Sequence, residues 1–553
     1  MKRNRVTIST SIHSDGESKT LGGLEESTLH INGLAVPTLA RSTSIVAAAF
    51  VASRLLGLAR EAILAPKFGT SGEYAAYVSA FRIPDLLFLV IMAGAFGSAF
   101  IPVFSGFLSR PDPAGAWRLA SAVITLTAIT VVLTAGVVFL FAGPMIRYLV
   151  APGLSPENQS LAVELMRVLL VSPLLLGMGI AAKGILESHH QFTLPALAPV
   201  VYNISIMGGA LLLTPSMGIH GVAIGVAVGA LGHVLIQVPG LYRLGMRYRP
   251  IIDFRVDGLR EVGRLLVPRL IGQAAFQVNF IAVNYFASNA GEEGVSALNY
   301  AWQLLMLPHG VIALSISTVI FPTMAQQYEQ GRLANLQETL VGALRPLLFI
   351  TLPVSIGLFA FRESIIQLAL QRGEFNQAST ERVAALLAWL ALGLVGYAFV
   401  EVLTRAFYAM HDTRTPVATG LLIILGNVLL SAILVKDYGH EALAWSLSAT
   451  TAAEALIMLL VLRNRFGGIG ADLGGWLIRI LIASFVTGIV SLVTSGHLAA
   501  VTRPGEAPFL QQIVLFGLGG SLVAVTYTLT SYALRVPELT AVVKRISTLI
   551  RNR

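Results

Sequence analysis

Residues 41–66 read RSTSIVAAAFVASRLLGLAREAILAP and are the most informative part of this chain. They are apolar and long enough to form a membrane-spanning helix, since about 20 residues at 1.5 Å each cross the hydrocarbon core. Arg54, Arg60 and Glu61 nevertheless fall near the middle of that helix. A charge at this depth costs about 3 kcal/mol or more, so such residues usually face a bundle interior or a wet cavity. The pattern predicts either a cavity that receives an anion or ion pairs with carboxylates on other helices.

The composition is that of a polytopic membrane protein. The chain has 553 residues, of which 55% are hydrophobic and only 12% charged, and its mean hydropathy is +0.75. Cysteine is absent, which excludes disulfides, thiolate metal sites and a cysteine nucleophile. The net charge of +9 does not indicate a nucleic-acid partner, because the basic residues cluster in alternate loops and tails. The sequence also has no GxxxxGK[ST] motif, so it contains no P-loop ATPase.

Hydropathy predicts an all-α fold of about 14 membrane-spanning segments. Their limits are 42–66, 74–107, 117–149, 159–188, 193–214, 219–243, 261–289, 295–326, 336–370, 379–410, 415–436, 440–463, 473–496 and 508–535. An even number of spans puts both termini on one side of the membrane. The Lys and Arg residues of both tails and of the link 243–260 predict that this side is cytoplasmic.

The sequence repeats internally with an offset of about 220 residues. The matched pairs are Pro195 with Pro416, Gly218 with Gly439, His190 with His411, Pro102 with Pro322 and Gly153 with Gly373. The repeating unit holds six spans, so both copies have the same orientation. Such a parallel repeat predicts two six-helix lobes that face each other across a central cavity.

This organisation predicts five segments along the chain. Residues 1–40 form a cytoplasmic tail, disordered because it is polar and rich in Ser and Gly. Residues 41–245 form an N-lobe, 246–465 form a C-lobe, and 466–536 form two additional helices without a counterpart in the repeat. A second cytoplasmic tail occupies 537–553.

The two halves differ in charge. The repeat counterparts of Arg54 and Arg60 are apolar, and the counterpart of Arg82 is Gln303. Arg269, near the start of the seventh span, offers one cation in the second half. The cationic side of the predicted cavity therefore belongs mostly to the N-lobe, and Arg269 and Gln303 complete the predicted substrate-binding set.

Several motifs resemble those of one family. SRLLGLAREAILAPKFG at 53–69, AFRIPDLL at 80–87 and GAFGSAFIPVF at 94–104 are similar to the start of MurJ-type (MviN) lipid II flippases of the MOP exporter superfamily. NYAWQLLMLPHGVIALSISTVIFPTMAQ at 299–326 and AFYAMHDTRTPV at 406–417 resemble later parts of that family. The resemblance covers about residues 41–465 and implies two six-helix lobes, usually followed by two further helices.

The resemblance implies that the chain carries lipid II, undecaprenyl-pyrophosphate-linked disaccharide-pentapeptide, from the inner to the outer leaflet for cell-wall synthesis. Arg54, Arg60 and Glu61 match charged residues of the family's first helix, and Arg82 matches a basic residue of its second. Arg suits pyrophosphate because its planar fork donates paired hydrogen bonds and stays charged. Transport of this kind breaks no bond, so we expect a transporter and not an enzyme.

The chain also departs from the family pattern. An acid early in the second span falls at Ala75, with Glu73 two residues away, and a later basic pair falls at Phe88 and Leu89. Gln303 stands where many members have an Arg in the eighth span. These departures change the set of charged residues that the resemblance implies for binding the anionic part of the substrate.

The resemblance further implies an ion site and a set of partners. The family's sodium site draws on spans seven, eleven and twelve; Asn427 fits it, whereas Ser431 stands where an acid is expected. No cofactor is predicted, and the expected driving force is the membrane potential or sodium. The expected partners are lipid II, membrane lipids and cell-wall synthesis proteins, and the expected location is the bacterial cytoplasmic membrane.

Alternative functions remain open. The same architecture serves drug/cation antiporters of the MATE type and exporters of other polyprenyl-linked oligosaccharides. A different class is a non-transporting scaffold for cell-wall enzymes. A cation exporter would need intramembrane carboxylates, whereas the first span has two Arg and one Glu; a scaffold would need no arginines within the membrane.

Overall fold

The structure is a computed structural model that describes residues 36–93, 99–109, 113–468, 473–501 and 509–540. These residues fold into helices joined by short links. In chain order they are α1 (Val36–Phe68), α2 (Gly72–Leu87), α3 (Ile101–Leu108), α4 (Pro113–Pro144), α5 (Pro156–Leu169), α6 (Val171–Ser188), α7 (Thr193–Leu212), α8 (Thr214–Met217), α9 (Ile219–Leu235), α10 (Val238–Arg243), α11 (Leu259–Ala290), α12 (Glu292–Glu329), α13 (Leu333–Ala360), α14 (Arg362–Ala369), α15 (Gln377–Ala409), α16 (Arg414–Tyr438), α17 (Glu441–Phe466), α18 (Leu473–Val501) and α19 (Phe509–Ala533).

Each predicted span coincides with one helix or with a pair of consecutive helices, so the all-α polytopic fold is confirmed. Within the described residues, 11 spans are long and apolar enough to cross a membrane by length and composition. The other three predicted spans are α1, α2 with α3, and α11. These three carry Arg54, Arg60, Arg82 and Asn284 of the cavity.

Several spans are interrupted in ways that hydropathy did not predict. The fourth span divides into α5 and α6, and Pro173 stands in the first turn of α6. The sixth divides into α9 and α10, with Pro239 in the first turn of α10. Proline lacks the amide donor of a continuous helix, so it is tolerated at such starts. In addition, α2 and α4 each continue into a π-helical turn, at Phe88–Ala93 and Met145–Val150.

The repeat is visible in the backbone itself. Gly218 and Gly439 have nearly the same torsion angles, with φ and ψ of 57° and −142° in the first and 56° and −140° in the second. His190 and His411 both have positive φ, at 58° and 57°. Positive φ is uncommon for residues other than glycine. Matching rare conformations at matched positions support two copies of one structural unit.

The packing follows the two lobes. In the N-lobe (α1–α10), α1 packs on α7, α2 on α5, and α7 on α9. In the C-lobe (α11–α17), α15 packs on α12, α13 and α17, and α16 packs on α11 and α17. The additional helices α18 and α19 pack on each other and on α13. The lobes meet where α2 contacts α11 and α12.

The lobes interlock through their main chains at one end of the bundle, which we call the closed end: the α1–α2 link (69–71) against the α14–α15 link (370–376). The amide of Glu374 donates to the carbonyl of Pro66 at 2.9 Å. Gly69 and Gly373 both have φ of +55°, and a Cβ at either would overlap a carbonyl oxygen of the other lobe. Glycine is therefore required on both sides of this approach.

Side chains reinforce the closed end. The hydroxyl oxygens of Thr70 and Ser379 lie 3.0 Å apart, one in each lobe. The Glu292 carboxylate of α12 accepts from the side-chain amide of Asn158 at 2.6 Å and also from the backbone amide of Ser155. These bonds join the start of α12 to the start of α5, so the two lobes are held together at this end.

The structure differs from the predicted tails at two boundaries. Helix α1 begins at Val36, inside the predicted tail 1–40, while residues 1–35 lie outside the described residues. At the other end, Glu538 accepts a hydrogen bond from Trp476 Nε1 at 2.8 Å. The start of the predicted tail 537–553 therefore packs on α18, and residues 541–553 lie outside the described residues. The division between the lobes at 245 stays a prediction.

Candidate functional site

Two adjoining pockets lie between the lobes, bordered by α1, α2, α7 and α12. The larger holds about 620 Å³ of empty space and is lined by Arg60, Glu61, Tyr74, Tyr77, Val78, Phe81, Arg82, Asp85, Tyr202, Asn299 and Gln303. The smaller holds about 420 Å³ and is lined by Ser53, Arg54, Gly57, Leu58, Glu61, Gln303, Met306 and Leu307. Glu61 and Gln303 line both pockets, so they separate Arg54 from the other arginines.

The first helix supplies a fixed ion pair. Arg60 donates to Glu61 Oε1 from Nη2 at 2.7 Å and from Nε at 3.2 Å. The hydroxyl of Tyr74 donates to Glu61 Oε2 at 2.8 Å and accepts from Asn299 Nδ2 at 3.2 Å. Because Asn299 belongs to α12, this chain of hydrogen bonds runs from the N-lobe to the C-lobe. The Glu61 carboxylate is 4% exposed and both of its oxygens are occupied.

Arg82 is anchored across the lobe interface. Its Nε donates to Asn284 Oδ1 at 3.1 Å, and Asn284 Nδ2 donates to Ser79 Oγ and to the carbonyl of Val150. Asn284 is 1% exposed, so its amide must be paired within the protein. The guanidinium carbon of Arg82 also lies 5.9 Å from the centre of the Phe280 ring of α11, and Arg82 lines the larger pocket.

Arg54 lies over the backbone of α12. A Cβ at Gly310 would lie 2.6 Å from Nη1 of Arg54, so a larger residue at this position would require the end of the Arg54 side chain to shift. Arg54 is thus placed one to two turns from Arg60 along α1, on the other side of Glu61 and Gln303.

The structure brings together Arg54, Arg60, Glu61, Arg82 and Gln303 at the two pockets. Their role in substrate binding stays a prediction. Arg269 lies in α11, and its side chain is outside the described residues.

Sequence reasoning did not find five further residues of this site. They are Tyr74, Asp85, Tyr202, Asn284 and Asn299. Each is a polar or aromatic residue inside an otherwise apolar span, which is the signal that was available. Asp85 was even contained in the quoted AFRIPDLL segment.

Glu73 does not replace the acid that is missing at Ala75. Its carboxylate accepts from the amide of Ile219 at 3.1 Å, at the start of α9. An acid in this place pairs with the unsatisfied amides of a helix N-terminus. Ala75 is fully buried in the apolar core.

The predicted ion-site residues lie together in the C-lobe. Asn427 Nδ2 donates to Asn279 Oδ1 at 2.9 Å, while Asn427 Oδ1 and Ser431 Oγ are buried and have no hydrogen-bond partner among the described residues. Unpaired buried oxygens are uncommon, and hard cations take oxygen ligands. These residues therefore fit a small monovalent cation. Within the described residues, no three His, Cys, Asp or Glu side chains gather as a metal site.

The fold defines the class: a two-lobed, multi-pass helical bundle with the fold of MOP-superfamily transporters. An inward-facing MATE transporter of the MOP superfamily aligns with a TM-score of 0.65 and 18% identity, over 75% of this chain and 94% of that one. A structure described as lipid II flippase MurJ in an inward closed conformation aligns with a TM-score of 0.71 and 24% identity, over 88% of this chain and 99% of that one.

The sequence comparisons define the family. The model of the lipid II flippase MurJ family matches residues 64–515. The lipid II flippase MurJ of Burkholderia cenocepacia is 29% identical over 77% of this chain and 83% of its own length. A probable lipid II flippase MurJ of Rhizobium meliloti is 31% identical over 78% of this chain and 82% of its own length. The chain belongs to the lipid II flippase MurJ family. Membership gives it the function of a flippase in peptidoglycan synthesis and places it in the inner membrane as a multi-pass protein.

Proposed function

We propose that this flippase holds the pyrophosphate of lipid II with Arg60 and Arg82, assisted by Arg54, in the cavity between its lobes. The observation that supports this most is the position of Arg82, which is anchored through Nε to Asn284 and lines the cavity beside Arg60. Arg60 enters the same pocket already paired with Glu61. An incoming diphosphate would compete with that carboxylate for the Arg60 fork, so binding would loosen the Glu61 network.

We propose that transport proceeds by alternating access. The two lobes are copies of one unit, a recurrent design for rocking movements around a central site. In the conformation described, the bonds of Glu374, Thr70 and Glu292 hold the closed end together. Opening toward the other side of the membrane would require these bonds to break while each lobe keeps its own fold.

The closed end is proposed to face away from the cytoplasm. The support is the arrangement of Lys and Arg, which favours cytoplasmic termini. A single cysteine at Tyr438, which is 69% exposed at the end of α16, should react with impermeant reagents from outside intact inner membranes. The chain has no native cysteine, so labelling is unambiguous. Labelling only from the cytoplasmic side would reverse the orientation.

The driving force is proposed to include a sodium ion held by Asn427, Ser431 and Asn279. The support is the pair of buried, unpartnered oxygens between α11 and α16. All three candidate ligands are neutral, which favours a weakly held monovalent ion over a divalent one. Membrane lipids and cell-wall synthesis proteins are proposed as further partners on the basis of the family alone, and no catalytic step is proposed for this chain.

The test is complementation of a strain depleted of its own lipid II flippase. The native chain should restore growth, and Arg60→Ala and Arg82→Ala should not, while both variants reach the membrane in normal amounts. Arg167→Ala is a matched control, because Arg167 stacks on Phe139 outside the cavity. Failure of the native chain to complement, together with efflux of organic cations, would support the antiporter alternative and contradict the proposal.

A further inference from the structure

The larger pocket contains an acid that the flippase mechanism does not use. Asp85 lines it beside Arg60, Glu61 and Arg82. Glu61 is committed to Arg60 and Tyr74, as described above. Asp85 differs: its carboxylate forms no hydrogen bond with any residue in the described part of the chain, although the positive charges of Arg82 and Arg60 act on it. Arg82, one turn away on α2, is held toward Asn284 of the other lobe instead.

A carboxylate without a hydrogen-bond partner is costly at this depth in a membrane protein, and such groups usually mark ligand or ion paths. In an anion site its presence is harder to explain, since it repels the phosphates that the arginines would attract. The charge of Arg82 offsets part of this conflict, but Arg82 is hydrogen-bonded through Nε to Asn284 of α11 and makes no hydrogen bond with the Asp85 carboxylate. The acid is therefore left to face the cargo.

Aromatic rings stand beside this acid in a defined pattern. Tyr77, Phe81 and Asp85 recur at intervals of four residues on α2, so they form one stripe along the helix. All three line the pocket, and the Tyr77 and Phe81 rings pack edge to face with centroids 5.0 Å apart. Tyr202 of α7 lines the same pocket. A carboxylate next to aromatic faces is a favourable environment for an ammonium group, through charge pairing and cation–π attraction.

We propose that Asp85, with Tyr77 and Phe81, binds a primary ammonium group on the peptide of the cargo while the arginines bind its pyrophosphate. This inference rests on the proposed function, because it assigns a second contact to the same cargo. The pocket then selects head groups that carry both an anion and a free amine. Asp85 is a specificity residue, and lipid-linked sugars without an amine would bind less well.

The test compares two preparations of lipid II. In one, the side-chain amine of the peptide is free; in the other, that amine is acetylated. Binding to the full-length protein in lipid nanodiscs is measured for both. The native protein should bind the free amine about tenfold more tightly, the scale of one charge-assisted hydrogen bond in a partly wet site. Asp85→Asn should abolish this preference, because both lipids then meet the same neutral side chain. Asp85→Glu should retain part of it.

Asp437→Asn is the matched control, because Asp437 is exposed near the end of α16. Equal affinity of the native protein for both lipids would overturn the inference without needing any variant, and so would an undiminished preference in Asp85→Asn. An equal loss for both lipids in Asp85→Asn would overturn it too, since Asp85 would then be a structural counter-ion of the arginines. Failure of the native protein to bind either lipid would instead refute the proposed function.

Discussion

The hydroxyl of Tyr74 has two hydrogen bonds whose effects can be separated by Tyr74→Phe. The bond to Glu61 lies within the N-lobe, whereas the bond from Asn299 crosses to the C-lobe. The ring itself stacks on Tyr300 with centroids 4.8 Å apart and should stay in place. The substitution therefore removes an oxygen and little else.

The two bonds predict two different magnitudes. Loss of a hydrogen bond to a buried carboxylate lowers the free energy of unfolding by about 1.5 to 3 kcal/mol. Because the Tyr74–Glu61 bond lies within the N-lobe, it is kept whether the closed end is closed or open, if each lobe moves as a unit. Its contribution therefore cancels in the equilibrium between the closed and open conformations. The Asn299 bond is made only while the lobes are joined, and a neutral bond contributes about 1 kcal/mol. Tyr74→Phe should thus reduce the ratio of closed to open molecules at the closed end about fivefold.

Disulfide formation between Thr70→Cys and Ser379→Cys provides the assay, because the native hydroxyls are 3.0 Å apart and the chain has no other cysteine. Tyr77→Phe is the control, since the Tyr77 hydroxyl makes no hydrogen bond to a described residue. Tyr74→Phe and Asn299→Ala should not be additive in this assay, because they break the same bond. A lower melting temperature with an unchanged crosslinking rate would refute the reasoning and confine the role of the hydroxyl to the N-lobe.

Three further predictions concern other parts of the molecule. Gly69→Ala should slow the same crosslink by at least tenfold, because its φ of +55° and the nearby Glu374 carbonyl leave no room for a Cβ; Gly136→Ala, with open space around it, should not. Partial burial acts to raise the pKa of Asp412, but hydrogen bonds from Thr415 and the guanidinium of Arg465 outweigh it and lower the pKa to about 2. The stability from this depressed pKa is present above about pH 4, the ordinary range of an Asp, and is lost as the pH falls through 2. Asp412→Asn should accordingly lower the melting temperature at pH 7, and the difference from the native protein should shrink as the pH falls from 4 toward 2. Asn427→Ala should reduce the rise in melting temperature that sodium produces at least tenfold. An unchanged rise would exclude this residue as a ligand.

The fold was largely predictable because its causes are local. Apolar length predicted 14 helical spans, of which 11 are long and apolar enough to cross a membrane within the described residues, and the matched glycines and prolines of the repeat indicated two lobes. The breaks at α5–α6 and the π-helical turns at Phe88 and Met145 were not predicted, since hydropathy averages over a whole span and does not register one displaced hydrogen bond.

The site was predictable only in part. Arg54, Arg60 and Glu61 stood out because charges in a membrane helix are costly. Asn284 and Asn299 carry no charge, and their importance comes from partners more than 200 residues away in sequence. Such pairs depend on how the lobes dock, which no local pattern of residues determines. Glu73 shows the converse. It stands two residues from Ala75, the position where the family pattern has an acid, yet its carboxylate caps the start of α9.

Binding of lipid II to purified Arg60→Lys and Arg82→Lys variants tests the central claim most directly. Lysine keeps the positive charge but cannot donate in the planar fork that suits a diphosphate. If the arginines bind the pyrophosphate, each variant should bind lipid II about tenfold more weakly than the native protein at equal thermal stability, and the corresponding alanine variants should bind more weakly still. Native affinity in a protein that carries both Arg60→Ala and Arg82→Ala would contradict the account.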